Sequence, residues 1–143
     1  MFFLKIAKVT VLTTVLTLFS VFANAKENGK QEFDWNPLMD AISIVESEGD
    51  SRAVSGKSCG VMQITPITVE QCNIILKQRG EKKRFTLNDR FSIKKSREMF
   101  VLIQSHFNPG NNVERAIRLW NGGSHYTIKG TQRYYNKVMK VYK

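Results

Sequence analysis

The sequence predicts a single small domain of the all-α class, with little or no sheet. Apolar residues recur at helical spacing in four or five segments, and no segment shows the alternation of a strand. Most of these segments begin with a capping residue, in two cases followed at once by proline. The chain has 143 residues, of which 42% are hydrophobic and 24% charged, which suits one folded domain and excludes a disordered chain.

The first two predicted helices flank a polar loop. The first begins at Asn36-Pro37, with Asn36 as the cap, and ends near Glu48-Gly49, because glycine commonly follows a helix. A loop rich in Gly, Ser and Asp covers residues 49–60, and Thr65-Pro66 begins the second helix. The basic stretch KQRGEKKRFTLNDR, residues 77–90, is predicted to be a solvated loop.

Three further helices complete the predicted domain. Ser92 caps the third, which the turn NPGNN ends, and Asn112 caps a short fourth helix that runs into WNGG. After a loop of Ser, His, Tyr and Thr, Thr131 caps the last helix. The apolar faces of these helices can build one core, which is marginal but sufficient at this size.

The first 25 residues differ from the rest of the chain. Lys5 and Lys8 precede an uncharged apolar run, and Ala23-Asn24-Ala25 has the small-x-small pattern of a signal-peptidase site. The run, residues 9–23, is shorter than the roughly 20 residues of a spanning helix, although an uncleaved anchor is the alternative. We predict a signal peptide at 1–25 and an exported mature domain at 26–143, without stable membrane insertion, in the periplasm or at the cell wall.

The charge of the chain suits an anionic partner. Lys and Arg number 22 and Asp and Glu 12, and loss of Lys5 and Lys8 leaves 20 against 12, a net charge of +8. Export favours a cell-wall polymer or an anionic membrane surface. Nucleic acid, the usual partner of such charge, requires that the N-terminal segment is not a signal. The charge can also serve solubility alone.

The two cysteines leave two interpretations open. Cys59 and Cys72 can form a disulfide in an oxidising compartment, or each can be a small buried apolar residue. Together with His106 and His125 they match no zinc spacing. The sequence therefore predicts neither a metal nor another cofactor.

Glu46 is the candidate acid of the sequence. It falls in the last turn of the first predicted helix, four residues after Ile42, at the edge of the apolar face. Apolar neighbours raise the pKa of a carboxyl, and a raised pKa is what a proton donor near neutral pH needs. The C-terminal end of a helix disfavours a carboxylate, which argues for a specific role. A solvated surface charge is the alternative.

The motifs around Glu46 resemble those of SLT-type lytic transglycosylases, lysozyme-like enzymes that cleave peptidoglycan. In family order the chain carries Glu46-Ser47, Ala53-Val54-Ser55, Gly60-Val61-Met62-Gln63, Pro66, the LWNGG element at 119–123, and Tyr135-x-x-Val138. Trp120 stands where the family commonly has Tyr. The elements extend over nearly all of the predicted mature chain.

The resemblance implies a lysozyme-like fold with a substrate cleft and Glu46 as its acid and then its base. It also implies a set of residues that line the cleft or contact substrate: Ser47, Ser55, Gly60, Met62, Gln63, Asn121 and Tyr135. Gln63 would offer its amide to an acetamido group or to Glu46, and Gly60 would let the backbone approach the sugar. Tyr134 is the alternative to Tyr135 for a hydroxyl near the glutamate, and core packing is the alternative for Met62 and Trp120.

The reaction that the resemblance implies needs a single carboxylate. A conventional hydrolase would need a second one, and only Glu48 and Asp50 lie nearby. At about 100° per helical residue Glu48 points about 200° away from Glu46, and Asp50 lies in the loop. We therefore expect cleavage of the MurNAc–GlcNAc β-1,4 linkage with formation of a 1,6-anhydro end. A lysozyme-type muramidase and a non-catalytic cell-wall-binding or assembly component are the alternatives.

The expected partner is the glycan strand of peptidoglycan. Stand-alone enzymes of this size often serve a local task, which here could be that of a secretion or conjugation apparatus or of a phage.

Overall fold

The computed structural model of the chain describes residues 32–143, and the predicted signal peptide, residues 1–25, lies outside them. No helix within this described part is long and apolar enough to cross a membrane.

The described residues form helices and one small hairpin. In chain order the helices are α1 Asn36–Ser47, α2 Pro66–Gln78, a 3-10 helix Leu87–Phe91, α3 Ile93–Phe107, α4 Val113–Gly122 and α5 Ile128–Val141. Strand β1, Val54–Ser55, pairs antiparallel with β2, Ser58–Cys59, with Val54 opposite Cys59 and Ser55 opposite Ser58. The predicted fold class, a helical domain with little sheet, is confirmed.

Side-chain caps account for three of the predicted helix starts. The hydroxyl of Thr65, the hydroxyl of Ser92 and the amide oxygen of Asn112 each accept a hydrogen bond from the backbone N–H three residues on, at 3.3, 3.3 and 2.8 Å. Each bond satisfies a donor that the first turn of a helix leaves without an intrahelical partner.

Two predicted helix starts are displaced. Asn36 is not a cap, because its backbone N–H and its side-chain amide both donate to Oδ1 of Asp34, each at 2.9 Å. The last helix is capped by Thr127 rather than by Thr131. Thr131 is buried in the first turn and donates its hydroxyl to the carbonyl of Thr127 at 2.7 Å.

The stretch at 77–90 is only partly a solvated loop, so that prediction is wrong for its second half. Phe85 is buried, and its backbone N–H and carbonyl pair with the side-chain amide of Asn73 at 2.8 and 2.9 Å. The 3-10 helix follows, and its Arg90 is buried and donates to the carbonyl of Lys57 at 3.0 Å. Arg90 thereby connects the 3-10 helix to the hairpin.

One hydrophobic core joins the helices. Its fully buried side chains come from the helices and from the loop before α2: Leu38, Ile42, Met62, Ile75, Met99, Phe100, Ile117 and Val138. The ring of Phe100 lies between those of Trp35 and Trp120, with centroids 5.7 and 5.1 Å apart. Helix α5 packs against α1 and α4, so the end of the chain closes the core beside the end of α1.

Candidate active site

A cleft of about 410 Å³ opens beside the C-terminal end of α1. Among its described lining residues are Glu46, Gln63, Phe107, Trp120 and Asn121. Its lining combines apolar side chains with amides and hydroxyls, which is typical of a site that holds a polar ligand by few directed contacts. Glu46 is the one carboxylate among the described residues that line this cleft.

Helix α5 supplies the hydrogen-bond partner of Glu46. The hydroxyl of Tyr134 donates to Oε1 of Glu46 at 2.7 Å. Burial raises the pKa of Glu46 above its ordinary value, while the Tyr134 hydrogen bond and the positive charge of Lys137 lower it in part. The net direction is upward, so Glu46 keeps its proton to higher pH than a solvated glutamate does.

The hydroxyl beside the acid belongs to Tyr134 and not to Tyr135. Consecutive side chains on a helix diverge by about 100°, so only one of the two can face Glu46. The ring of Tyr135 instead lies 4.5 Å from the guanidinium of Arg118. Burial and the adjacent carboxylate both raise the pKa of Tyr134, so its hydroxyl stays protonated and acts as a donor.

Arg118 holds α5 in this position. The residue is 2% exposed, and its side chain donates to Glu114, to the hydroxyl of Thr131 at 3.1 Å and to the amide oxygen of Gln132 at 2.9 Å. The sequence reasoning missed this residue. The sequence pattern that could have identified it is an arginine between two apolar residues, within the apolar face of α4. A charged side chain at such a position is buried and must have hydrogen-bonding partners.

Gln63 stabilises the loop that forms one wall of the cleft. Its backbone is left-handed, with φ of +50°, and its side-chain amide donates to the carbonyls of Gly60 and Ala53 at 2.9 and 3.4 Å. Both N–H donors of the amide are therefore engaged, and only the amide oxygen is left for another partner. Of the side-chain amide, the oxygen is therefore the atom through which Gln63 would meet an acetamido group or Glu46.

Ser47 and Gly60 fix the same loop and do not line the cleft. The hydroxyl of Ser47 lies 2.8 Å from the carbonyl of Val61 and 3.2 Å from that of Ser43, which ties the end of α1 to the loop. Gly60 has φ of +78°, and a Cβ there would lie 1.8 Å from the carbonyl oxygen of Arg90. The contact with the 3-10 helix therefore requires glycine at this position.

Three other predicted site residues have separate environments. Met62 is fully buried, and its carbonyl accepts from Nε1 of Trp120 at 3.3 Å, which favours core packing for this methionine. Ser55 is exposed on β1 and is not part of the cleft lining. Asn121 is exposed and lies in the cleft lining.

The two candidates for a second carboxylate lie away from the cleft lining. Glu48 is exposed and follows α1 in a left-handed conformation, with φ of 56°. Asp50 is exposed, and its Oδ1 accepts from the backbone N–H of Arg52 at 2.8 Å.

The cysteines are separate in the structure. Cys59 and Cys72 are both free and buried, which agrees with their interpretation as small apolar residues rather than as a disulfide. Burial raises the pKa of the Cys72 thiol to about 12. No group of three or more potential metal ligands occurs among residues 32–143.

A helical domain that holds one half-buried glutamate against a tyrosine, at the edge of a polar cleft, has the architecture of the lysozyme-like class. Within that class the chain belongs to the transglycosylase SLT domain family, whose model matches residues 23–141. The family comprises peptidoglycan lytic transglycosylases that act on the cell wall, so the resemblance carried by the sequence motifs is confirmed. No curated protein and no solved structure matches the chain.

Proposed function

We propose that the protein is an exported lytic transglycosylase that cuts the MurNAc–GlcNAc β-1,4 linkage and leaves a 1,6-anhydro-MurNAc end. The observation that carries this proposal is the single carboxylate of the cleft. Hydrolysis by the usual two-carboxylate route needs a second acid about 5–10 Å from the first. Glu48 and Asp50, the nearest candidates in sequence, are exposed outside the cleft lining.

In the first step Glu46 acts as the acid. Its raised pKa favours the protonated carboxyl. Tyr134 occupies Oε1, which leaves Oε2 to carry the proton that passes to the glycosidic oxygen. The C1–O bond of MurNAc breaks, the GlcNAc oxygen takes the proton, and Glu46 becomes a carboxylate. The Tyr134 hydroxyl and the charge of Lys137 stabilise that carboxylate as it forms.

In the second step Glu46 acts as the base. The carboxylate takes the proton of the MurNAc 6-hydroxyl, whose oxygen bonds to C1 and closes the 1,6-anhydro ring. Glu46 is then protonated again, and the reaction consumes no water. The amide oxygen of Gln63 and the side chain of Asn121 supply polar contacts for the acetamido and hydroxyl groups of the glycan.

The proposal includes the cellular setting. Export rests on the pattern of residues 1–25, with the mature enzyme acting in the periplasm or at the cell wall. The glycan strand is the substrate, and a secretion or conjugation apparatus or a phage particle is the setting in which a domain of this size would open the wall locally.

The test is mass spectrometry of isolated sacculi digested with the protein. Anhydro-muropeptides are expected from the wild type and from Glu48→Gln, which keeps the cleft intact, and none from Glu46→Gln. Ordinary reducing ends would show a muramidase instead. Binding of sacculi by wild type and by Glu46→Gln alike, with no glycan released by either, would show a non-catalytic wall-binding component.

A further inference from the structure

The exposed side of α5 carries a continuous row of positive charge. Lys129, Arg133, Lys137 and Lys140 follow at intervals of four, four and three residues, which places them on one face of the helix. All four are exposed, and none takes part in the ion pairs found among the described residues. We call these four residues the α5 stripe.

The α5 stripe lies in a basic segment of the chain. Residues 115–143 contain seven basic residues and no acidic residue. Like charges at i,i+4 spacing destabilise a helix, and a cation in its first turn, such as Lys129, opposes the helix dipole. Only Lys140, in the last turn, gains from that dipole. The stripe thus adds little to the fold, which points to a ligand.

The helix that carries the α5 stripe also contacts the candidate acid, Glu46. Tyr134 on the same helix donates to Glu46, and Lys137 is close enough to Glu46 to act on it electrostatically. A polymer bound at Glu46 therefore lies near Lys137, the third residue of the stripe. From Lys129 to Lys140 the helix rises about 16 Å, which equals the length of about five residues of extended peptide.

We infer that the α5 stripe binds the free carboxylates of the peptide stems that branch from the glycan held in the cleft. This inference rests on the proposed function, since it takes peptidoglycan as the substrate. The stem is a short acidic peptide attached next to the scissile linkage, so its charge and length match the stripe. A bilayer surface matches less well, because Tyr134, Tyr135 and Val138 pack inward and the exposed apolar side chains of α5, Ile128 and Met139, lie at opposite ends of the helix.

The inference is tested by binding without turnover. The Glu46→Gln protein is sedimented with untreated sacculi and with sacculi whose free carboxyls have been amidated with methylamine, and the two Kd values are compared. We expect the untreated wall to bind about tenfold more tightly at low salt, and about 0.5 M NaCl to remove the difference by screening. Adding Lys129→Gln, Arg133→Gln and Lys140→Gln should reduce binding of the untreated wall to the amidated level.

A matched control removes the same charge elsewhere. Lys77, Lys82 and Lys94 are exposed and form no ion pair among those found in the described residues, and their triple change to Gln should keep the tenfold preference. Equal Kd values for the two walls, or equal losses in both triple variants, would overturn the inference. So would stripe-dependent binding to phosphatidylglycerol vesicles without any preference for untreated sacculi.

Because the readout is a Kd, it is independent of the products that the wild type forms. Absence of anhydro-muropeptides would count against the proposed function alone.

Discussion

Replacement of Tyr134 by phenylalanine removes one hydroxyl from the candidate active site and keeps the ring that packs in the core. The oxygen lost is the one that donates to Oε1 of Glu46 at 2.7 Å. This hydrogen bond favours the carboxylate, since it is one of the two contributions that lower the pKa of Glu46 against the effect of burial. Without it the pKa of Glu46 rises further, and the carboxylate that forms during the reaction is less stable.

The size of the effect follows from the kind of bond. A hydrogen bond to a charged group contributes about 1.5–3 kcal/mol. Because Glu46 is only half-buried, the lower end is appropriate, and about 1.5 kcal/mol corresponds to about a tenfold loss of kcat/KM. The higher pKa keeps the acid protonated to higher pH, so the alkaline limb of the activity profile should move upward even as the maximum falls.

The assay is the initial rate of glycan release from sacculi between about pH 4 and pH 9. Tyr135→Phe is the matched control, because the Tyr135 ring stacks with Arg118 and its hydroxyl is not the partner of Glu46. It should leave the alkaline limb in place. An unmoved limb in Tyr134→Phe, or an equal shift in both variants, would refute the role assigned to the Tyr134 hydroxyl.

Two further predictions concern stability. Glu46→Gln should raise the free energy of unfolding at pH 7, because the folded protein disfavours the ionised carboxyl. A carboxyl whose pKa is raised in the folded state contributes stability below its ordinary pKa of 4.5, and this contribution is lost as the pH rises. The stabilisation of Glu46→Gln over the wild type should therefore vanish near pH 4 in thermal melts. A stabilisation that is the same at pH 4 and pH 7 would contradict this reasoning. Gly60→Ala should cost about 3 kcal/mol or more in urea unfolding, because its Cβ would lie 1.8 Å from the Arg90 carbonyl. Gly56→Ala, equally left-handed but with nothing within 4 Å, should cost about 1 kcal/mol, and equal losses would exclude the steric cause.

Local chemistry made most helix boundaries predictable. Thr65, Ser92 and Asn112 cap helices through bonds to N–H groups three residues away, so the sequence contains both partners of each bond. Asn36 shows how such a prediction fails. Asp34, two residues before it, occupies its side chain and displaces the cap.

The candidate acid was predictable, but its environment was not. Glu46 could be identified because its motif is continuous in sequence. The sequence does not decide whether Tyr134 or Tyr135 is the partner of Glu46, because the answer depends on the rotation of α5 about its own axis where it packs against α1. The buried guanidinium of Arg118, which contacts Tyr135, determines part of that docking, and composition classes such a residue as a surface charge.

The role of a glycine is equally hard to derive from sequence. A left-handed turn, a substrate approach and a tight packing contact all favour the same residue type. At Gly60 the contact comes from Arg90, in a segment predicted to be a solvated loop. The misassigned loop and the unforeseen packing role of Gly60 therefore have one cause, which is packing between distant parts of the chain.

The hydrogen bond between Glu46 and Tyr134 joins residues 88 positions apart. Synthesis delivers the N-terminal part of the chain first, so α1 and its glutamate emerge well before α5 can dock. Until then the carboxyl is solvated and has the acidity of any free glutamate. The exported enzyme proposed above would therefore gain its tyrosine-bound acid only when α5 is in place, and a chain still in transit would lack it.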